Sequence, residues 1–298
     1  MASHSTGDGG IPKRGVEKDG LKRVMSLGGA YGTRNYTVKD LRDCKGKRVL
    51  VETLPFSPEE AIAAEEAGID TMKVRFDPVA PQATLEIRKA APHTFMTYPM
   101  QLTRVTSASE ALRMAFDAME AGADGLICQW GMQFIEAVAK AGVPIQGHVG
   151  LVPRTSTWTG GLRAVGKTID EALMIYQHMK NHENAGAWGV ECEVIPAPIM
   201  RELSKRTTLV TSSIGSGSGG DIQFLFAQDL LGDGKPPFPR HGKQYCNLYA
   251  MRQRMQKMRI SAFKEFVAEV NSGAFPGHEH TVDVGQEVVD GFLEAIGE

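Results

Sequence analysis

The chain has 298 residues, 42% hydrophobic and 23% charged, an ordinary globular composition with enough length for one large core. A formal net charge of -2 leaves no electrostatic footprint for nucleic acid or an anionic membrane, so neither is expected as a partner. No apolar run reaches the roughly 18–20 residues of a membrane span, the N-terminus has no signal-peptide core, and Cys44, Cys128, Cys192 and Cys246 form no C-x-x-C pair; a cytoplasmic protein with reduced thiols is expected.

Residues 1–34 are rich in Gly, Ser, Lys and Asp and read as a flexible arm. Thr37 caps a short helix through Arg42. A regular alternation follows. Short apolar strands are expected at 48–53, 71–74, 94–98, 125–129, 145–149, 189–195 and 209–214, with a weaker eighth at 222–226. Helices are expected between them at 58–67, 84–90, 107–121, 132–141, 168–185 and 198–206, several ending in glycine. Strands alternating with helices argue for an α/β fold with a parallel sheet. The units continue past five without a dinucleotide fingerprint, which favours a closed (β/α)8 TIM barrel, one domain over 35–298. A long basic helix over 244–271 closes the chain, and its Met251, Met255 and Met258 read as a packing or subunit face.

Such barrels build active sites at the C-terminal ends of their strands. Gly147-His148-Val149-Gly150 delivers His148 to one of those ends. Glu191 and Glu193, two residues apart on the next strand, share a face. Facing the lumen together they would crowd, raising one pKa toward that of a useful base; alternatively one pairs with Arg75, Arg154 or Lys167. Arg75 leaves the second strand either as a bidentate carboxylate binder or as a surface partner of Asp77. The run Gly215-Ser216-Gly217-Ser218-Gly219-Gly220 offers backbone N–H groups to an anion, or is simply a flexible turn. Gln129 and Trp130 supply an amide and an indole wall to the pocket, or in the case of Trp130 only to the core. Cys128 and Cys192 read as small packed groups.

Several blocks resemble the ketopantoate hydroxymethyltransferase family. Gly147-His148-Val149-Gly150-Leu151-Val152-Pro153 is similar to its GHxGLTPQ, Gly166-Lys167-Thr168 to its GKT, and Glu193-Val194-Ile195-Pro196-Ala197 to its ECVPA. Ile214-Gly215-Ser216-Gly217 with Asp221-Ile222-Gln223 resembles IGIGAG…DGQ, Asp229-Leu230-Leu231-Gly232 resembles DMLG, and the tail Phe275-Pro276-Gly277-His278-Glu279-His280 resembles FPxxEH. The resemblance runs from about Asn35 to Val282.

It implies a phosphoenolpyruvate-mutase/ketopantoate hydroxymethyltransferase-like barrel, a homo-oligomer, that transfers a hydroxymethyl group from methylenetetrahydrofolate to a small 2-oxo acid through an enolate, with magnesium as cofactor. Glu193 matches the family's base and His148 its substrate-contacting histidine. Four positions depart. Phe76 and Thr97 stand where the family has aspartates; at KLEGG, Ile127 replaces the lysine and Gln129 the glutamate. Magnesium needs carboxylate oxygens, so no metal ligand is assigned from the sequence. The expected activity is carbon–carbon bond formation or cleavage beside a carbonyl, with Glu193, His148 and Glu191 catalytic and Arg75, Thr97, Gln129, Gly215, Ser216 and Gly217 at the substrate. The alternatives are a metal-independent lyase or hydrolase for another small carboxylate, and a non-catalytic binding paralogue.

Overall fold

The computed structural model describes residues 20–298, in two compact units, one extending to Tyr245 and the other Cys246–Glu298. The first opens with a hairpin, β1 (Lys22–Met25) antiparallel to β2 (Tyr31–Arg34), followed by α1 (Val38–Cys44). Eight parallel strands then close into a barrel: β3 (Leu50–Leu54), β4 (Thr71–Lys73), β5 (Phe95–Pro99), β6 (Gly125–Ile127), β7 (Ile145–Gly150), β8 (Gly189–Glu193), β9 (Val210–Ile214) and β10 (Ile222–Phe226). Their order around the wall is β10-β3-β4-β5-β6-β7-β8-β9. The crossovers carry α2 (Pro58–Glu66), α3 (Gln82–Ala90), α4 (Ala108–Glu120), α5 (Met132–Lys140), α6 (Ile169–Asn184) and α7 (Ala197–Ser204), and β10 runs into a single turn, α8 (Ala227–Leu230).

The helices start where the sequence supplies a cap. The hydroxyls of Thr37, Ser57, Ser107 and Thr168 each accept the N–H three residues on, that of Asp40, Glu60, Glu110 and Glu171. The outward faces of the strands make the core. Met72, Met96, Tyr98 and Leu126 pack with Ile87, Met114, Ala115 and Ile135 of the surrounding helices, while Val190 and Cys192 pack with Ile175, Met179 and Met200. Each fully buried side chain of this size is worth roughly 1.5–3 kcal/mol. With the apolar residues turned out, the alternate positions turn polar groups into the lumen. At Gly147 the approach is closest: a Cβ there would stand 1.8 Å from the His182 ring of α6, so only glycine lets helix and strand meet.

Two features differ from the sequence reading. Part of the expected arm is the β1–β2 hairpin, and Arg34 at its end is buried in a salt bridge to Asp124 (2.7 Å); the rest of the arm, 1–19, lies outside the described residues. The C-terminal stretch forms the second compact unit. It consists of α9 (Leu248–Ser272), a short turn at His278–His280, and a helix the sequence reading did not anticipate, α10 (Gln286–Ile296). Among the described residues no helix is long and apolar enough to cross a membrane.

Candidate active site

A chain of polar side chains runs through the barrel. On β9, the Ser212 hydroxyl donates to Glu52 Oε2 on β3 (2.7 Å), and Thr71 of β4 donates to Glu52 Oε1 (3.1 Å). The Lys73 ammonium at the end of β4 lies 3.0 Å from Glu52 Oε2, contacts Glu191 Oε2 on β8, and sits 3.9 Å above the Phe224 ring. β4 and β8 are four strands apart around an eight-strand wall, so the Lys73–Glu191 contact spans the lumen. Glu52, Lys73 and Glu191 are all buried.

This pairing decides the charges. Burial alone would discharge Lys73, but the carboxylates of Glu191 and Glu52 outweigh it and raise its pKa. Burial likewise works against an ionised Glu191, and the Lys73 ammonium, helped by His148, overrides it and lowers the pKa. Crowding against Glu193 was expected to raise a carboxylate pKa; at Glu191 the cation across the lumen reverses that shift. The partner is none of Arg75, Arg154 or Lys167. Arg75 is exposed and stacks over Phe56 (4.8 Å).

Nearer the mouth, His148 Nε2 stands 3.2 Å from Glu193 Oε2 and 3.7 Å from Glu191 Oε1, aligned as a hydrogen bond with neither. Its Nδ1 is 3.0 Å from Nε2 of Gln129. With that amide N–H donating, the ring proton sits on Nε2; with the amide turned over, Gln129 Oε1 takes the Nδ1 proton and Nε2 presents a lone pair. One oxygen or nitrogen from each of His148, Glu191 and Glu193 falls within 4.8 Å of the other two. The backbone tightens here as well. Val194, directly after Glu193, has φ +49, a conformation costly for a β-branched residue. A cavity of about 320 Å³ opens against His148, with Gln129, Trp130, Val152, Thr155 and His182 in its walls. The larger groove of about 950 Å³, between α6 and α7, includes none of the cluster.

Of the residues expected at the substrate, Thr97 is buried on β5 with its hydroxyl unpartnered, and Gln129 bonds His148. Ser216 serves the fold instead: its hydroxyl donates to the Cys192 carbonyl (2.9 Å) and accepts the Ile195 N–H (2.8 Å), stitching the ends of β8 and β9. Gly215 and Gly217 are the places where the turn passes Val194 and Ala197, and a Cβ at Gly217 would stand 2.7 Å from Ala197 Cβ. Trp130 is buried, its indole donating to the Gln101 carbonyl (3.3 Å). Cys128 and Cys192 are buried, and burial pushes the Cys128 thiol up to about 12, an inert packed group.

The sequence reading missed Lys73 and Glu52. The signal was present: a lysine in Thr-Met-Lys-Val and a glutamate in Val-Leu-Val-Glu-Thr-Leu, each in a strand too apolar to face water. A charge in such a place is almost never buried without a partner.

A closed parallel barrel with its polar cluster at the carboxyl ends of β7 and β8 is the architecture of a barrel enzyme. The solved structure of 2,3-dimethylmalate lyase, a PEP mutase/isocitrate lyase superfamily member, has the same fold: TM-score 0.51 at 12% identity, covering 74% of this chain and 87% of that one. Residues 60–278 match the profile of the ketopantoate hydroxymethyltransferase family, and the chain belongs to that family. It is 32% identical over 265 residues to a 3-methyl-2-oxobutanoate hydroxymethyltransferase of Thermus thermophilus, covering 82% of this chain and 98% of the relative. It is 30% identical over 264 residues to the Thermotoga maritima protein of the same name, covering 82% and 95%.

Proposed function

We propose that the chain is a hydroxymethyltransferase acting on a small 2-oxo acid, 3-methyl-2-oxobutanoate being the first substrate to try. The observation that carries this is the meeting of His148, Glu191 and Glu193 at the barrel mouth of a chain in this family. Glu193 takes the proton from the carbon beside the keto group in this reading. Unlike Glu191, it is partly exposed and makes no contact with Lys73. The resulting carbanion, delocalised as an enolate, forms the new carbon–carbon bond to a one-carbon unit at the formaldehyde oxidation level, with methylenetetrahydrofolate as the proposed donor. His148 Nε2, 3.2 Å from Glu193 Oε2 and without a hydrogen-bond partner, is the ring nitrogen offered to the substrate, Nδ1 being turned to Gln129. Relatives that bear the transferase name favour this reading over a lyase, hydrolase or binding-only role. A soluble homo-oligomer of the cytoplasm is the accompanying expectation.

The magnesium implied by the family does not fit at the family's positions. Phe76 is buried and stacked on Tyr98 (5.8 Å), Thr97 offers one neutral hydroxyl, and Gln129 offers one neutral amide oxygen, its nitrogen being turned to His148. A hard cation held by two neutral oxygens and a phenyl ring is poorly held.

The reaction is tested by proton exchange. Incubated in D2O with 3-methyl-2-oxobutanoate and followed by NMR, the protein should wash out the C3 proton, and Glu193→Gln should slow that washout by about 100-fold or more, the size of a general-base contribution. Normal exchange by a folded Glu193→Gln variant would remove Glu193 from the base role.

A further inference from the structure

We infer that His148, Glu191 and Glu193 form a divalent transition-metal site, displaced from the positions where the family would hold magnesium. Four observations converge on it. The ligand atoms are already gathered: His148 Nε2 is 3.2 Å from Glu193 Oε2 and 3.7 Å from Glu191 Oε1. Two ligands each at about 2.1 Å from one ion lie roughly 3.0–3.5 Å apart. His148 is only 7% exposed, yet Nε2 has no hydrogen-bond partner, an arrangement that costs free energy unless something binds there.

The surroundings are those of ligands held in place. Glu191 divides its oxygens: Oε2 is pinned by Lys73, and Oε1 faces His148 at 3.7 Å. His148 has Gln129 on Nδ1, and the amide orientation that accepts the Nδ1 proton leaves Nε2 as a donor atom for metal. Finally, three carboxyl groups, Glu52, Glu191 and Glu193, gather around the single ammonium of Lys73 among these residues, and a divalent ion would add counter-charge where the carboxylates meet. An imidazole in the ligand set selects Mn²⁺, Fe²⁺, Co²⁺ or Zn²⁺ over Mg²⁺. Ligation of Glu193 through Oε2 leaves its other oxygen for the proton, so the inference deepens the reading of this pole as the reactive one.

The test is metal binding without substrate. The chelator-stripped full chain is titrated with Mn²⁺, Co²⁺, Zn²⁺ and Mg²⁺ by calorimetry, with cobalt absorption reporting the ligand field. One ion per chain is expected, with Co²⁺ and Zn²⁺ at least about 100-fold tighter than Mg²⁺. His148→Ala and Glu191→Gln should each lose that binding while keeping the native circular dichroism. Gln129→Ala, which touches only the far side of the ring, should weaken it about 10–100-fold. Binding that is unchanged in His148→Ala and Glu191→Gln overturns the site, as does a folded protein that takes up no ion. Exchange of the C3 proton by a protein that takes up no ion leaves the transferase reading standing and removes the metal site, whereas a cobalt site with no exchange does the reverse.

Discussion

A lysine in the middle of a barrel is costly by itself and stable only in company. Lys73 has two carboxylates and an aromatic face, and its loss would leave Glu52 and Glu191 buried without a counter-charge. Removing one partner of such a pair costs about 3–5 kcal/mol. Lys73→Met is therefore expected to lower the urea midpoint sharply, and adding Glu191→Gln to it should recover part of the loss; single-variant losses that simply add in the double variant would show the two residues to be uncoupled. This residue also marks where sequence reading stops. Glu191 and Glu193 could be placed on one face from their spacing, and His148 from its strand end. Their partner could not, because Lys73 lies on a strand four places earlier around the wall and becomes a neighbour only when the sheet closes. Arg75, two positions further along, was the more conspicuous cation and lies outside on Phe56.

At the scale of elements, the strands and capped helices were readable because each carries its own signal: a short apolar run, or a hydroxyl residue ahead of a helix. The β1–β2 hairpin was not. Its strands of four residues, KRVM and YGTR, are too polar and too short to show a period. One tie between elements sets a pH limit. Glu183, at the end of α6, accepts from Lys180 and from Thr207 and Thr208 ahead of β9 (Thr207 Oγ1 at 2.6 Å). Burial pushes its pKa up, but these donors outweigh burial and hold it at about 2, against an ordinary 4.5. A depressed carboxylate contributes stability above its unfolded pKa and loses it as the pH falls toward the folded one. Thermal unfolding should therefore show a stability loss between about pH 4.5 and 2 that Glu183→Gln flattens. Parallel curves for the two proteins would place the acid sensitivity elsewhere.

For the whole molecule, the eight-unit barrel was legible from repetition alone, and its closure followed from the count. The second unit was legible only in part. The methionines of α9 drew attention to it, but α10 was passed over although Val288, Val289, Phe292 and Ile296 recur at helical spacing. Met251, Met255, Met258 and Phe266 on α9 are exposed. Apolar surface of that kind is a subunit face more often than a solvated one. Sedimentation equilibrium is expected to give a mass of two or more whole chains, and a single-chain mass at micromolar concentration would remove the homo-oligomer from the description.

The crossbar from Lys73 to Glu191 also constrains the history of the sequence. The two positions are 118 residues apart, yet neither drifts freely, since losing the charge of Lys73 strands two carboxylates and losing that of Glu191 leaves the ammonium with Glu52 alone. A lineage leaves this pair, or arrives at it, only by two changes close together or through a much weakened intermediate. Among relatives, a lysine at the first position should be inherited with an acid at the second, and where the lysine has gone the acid should have gone with it.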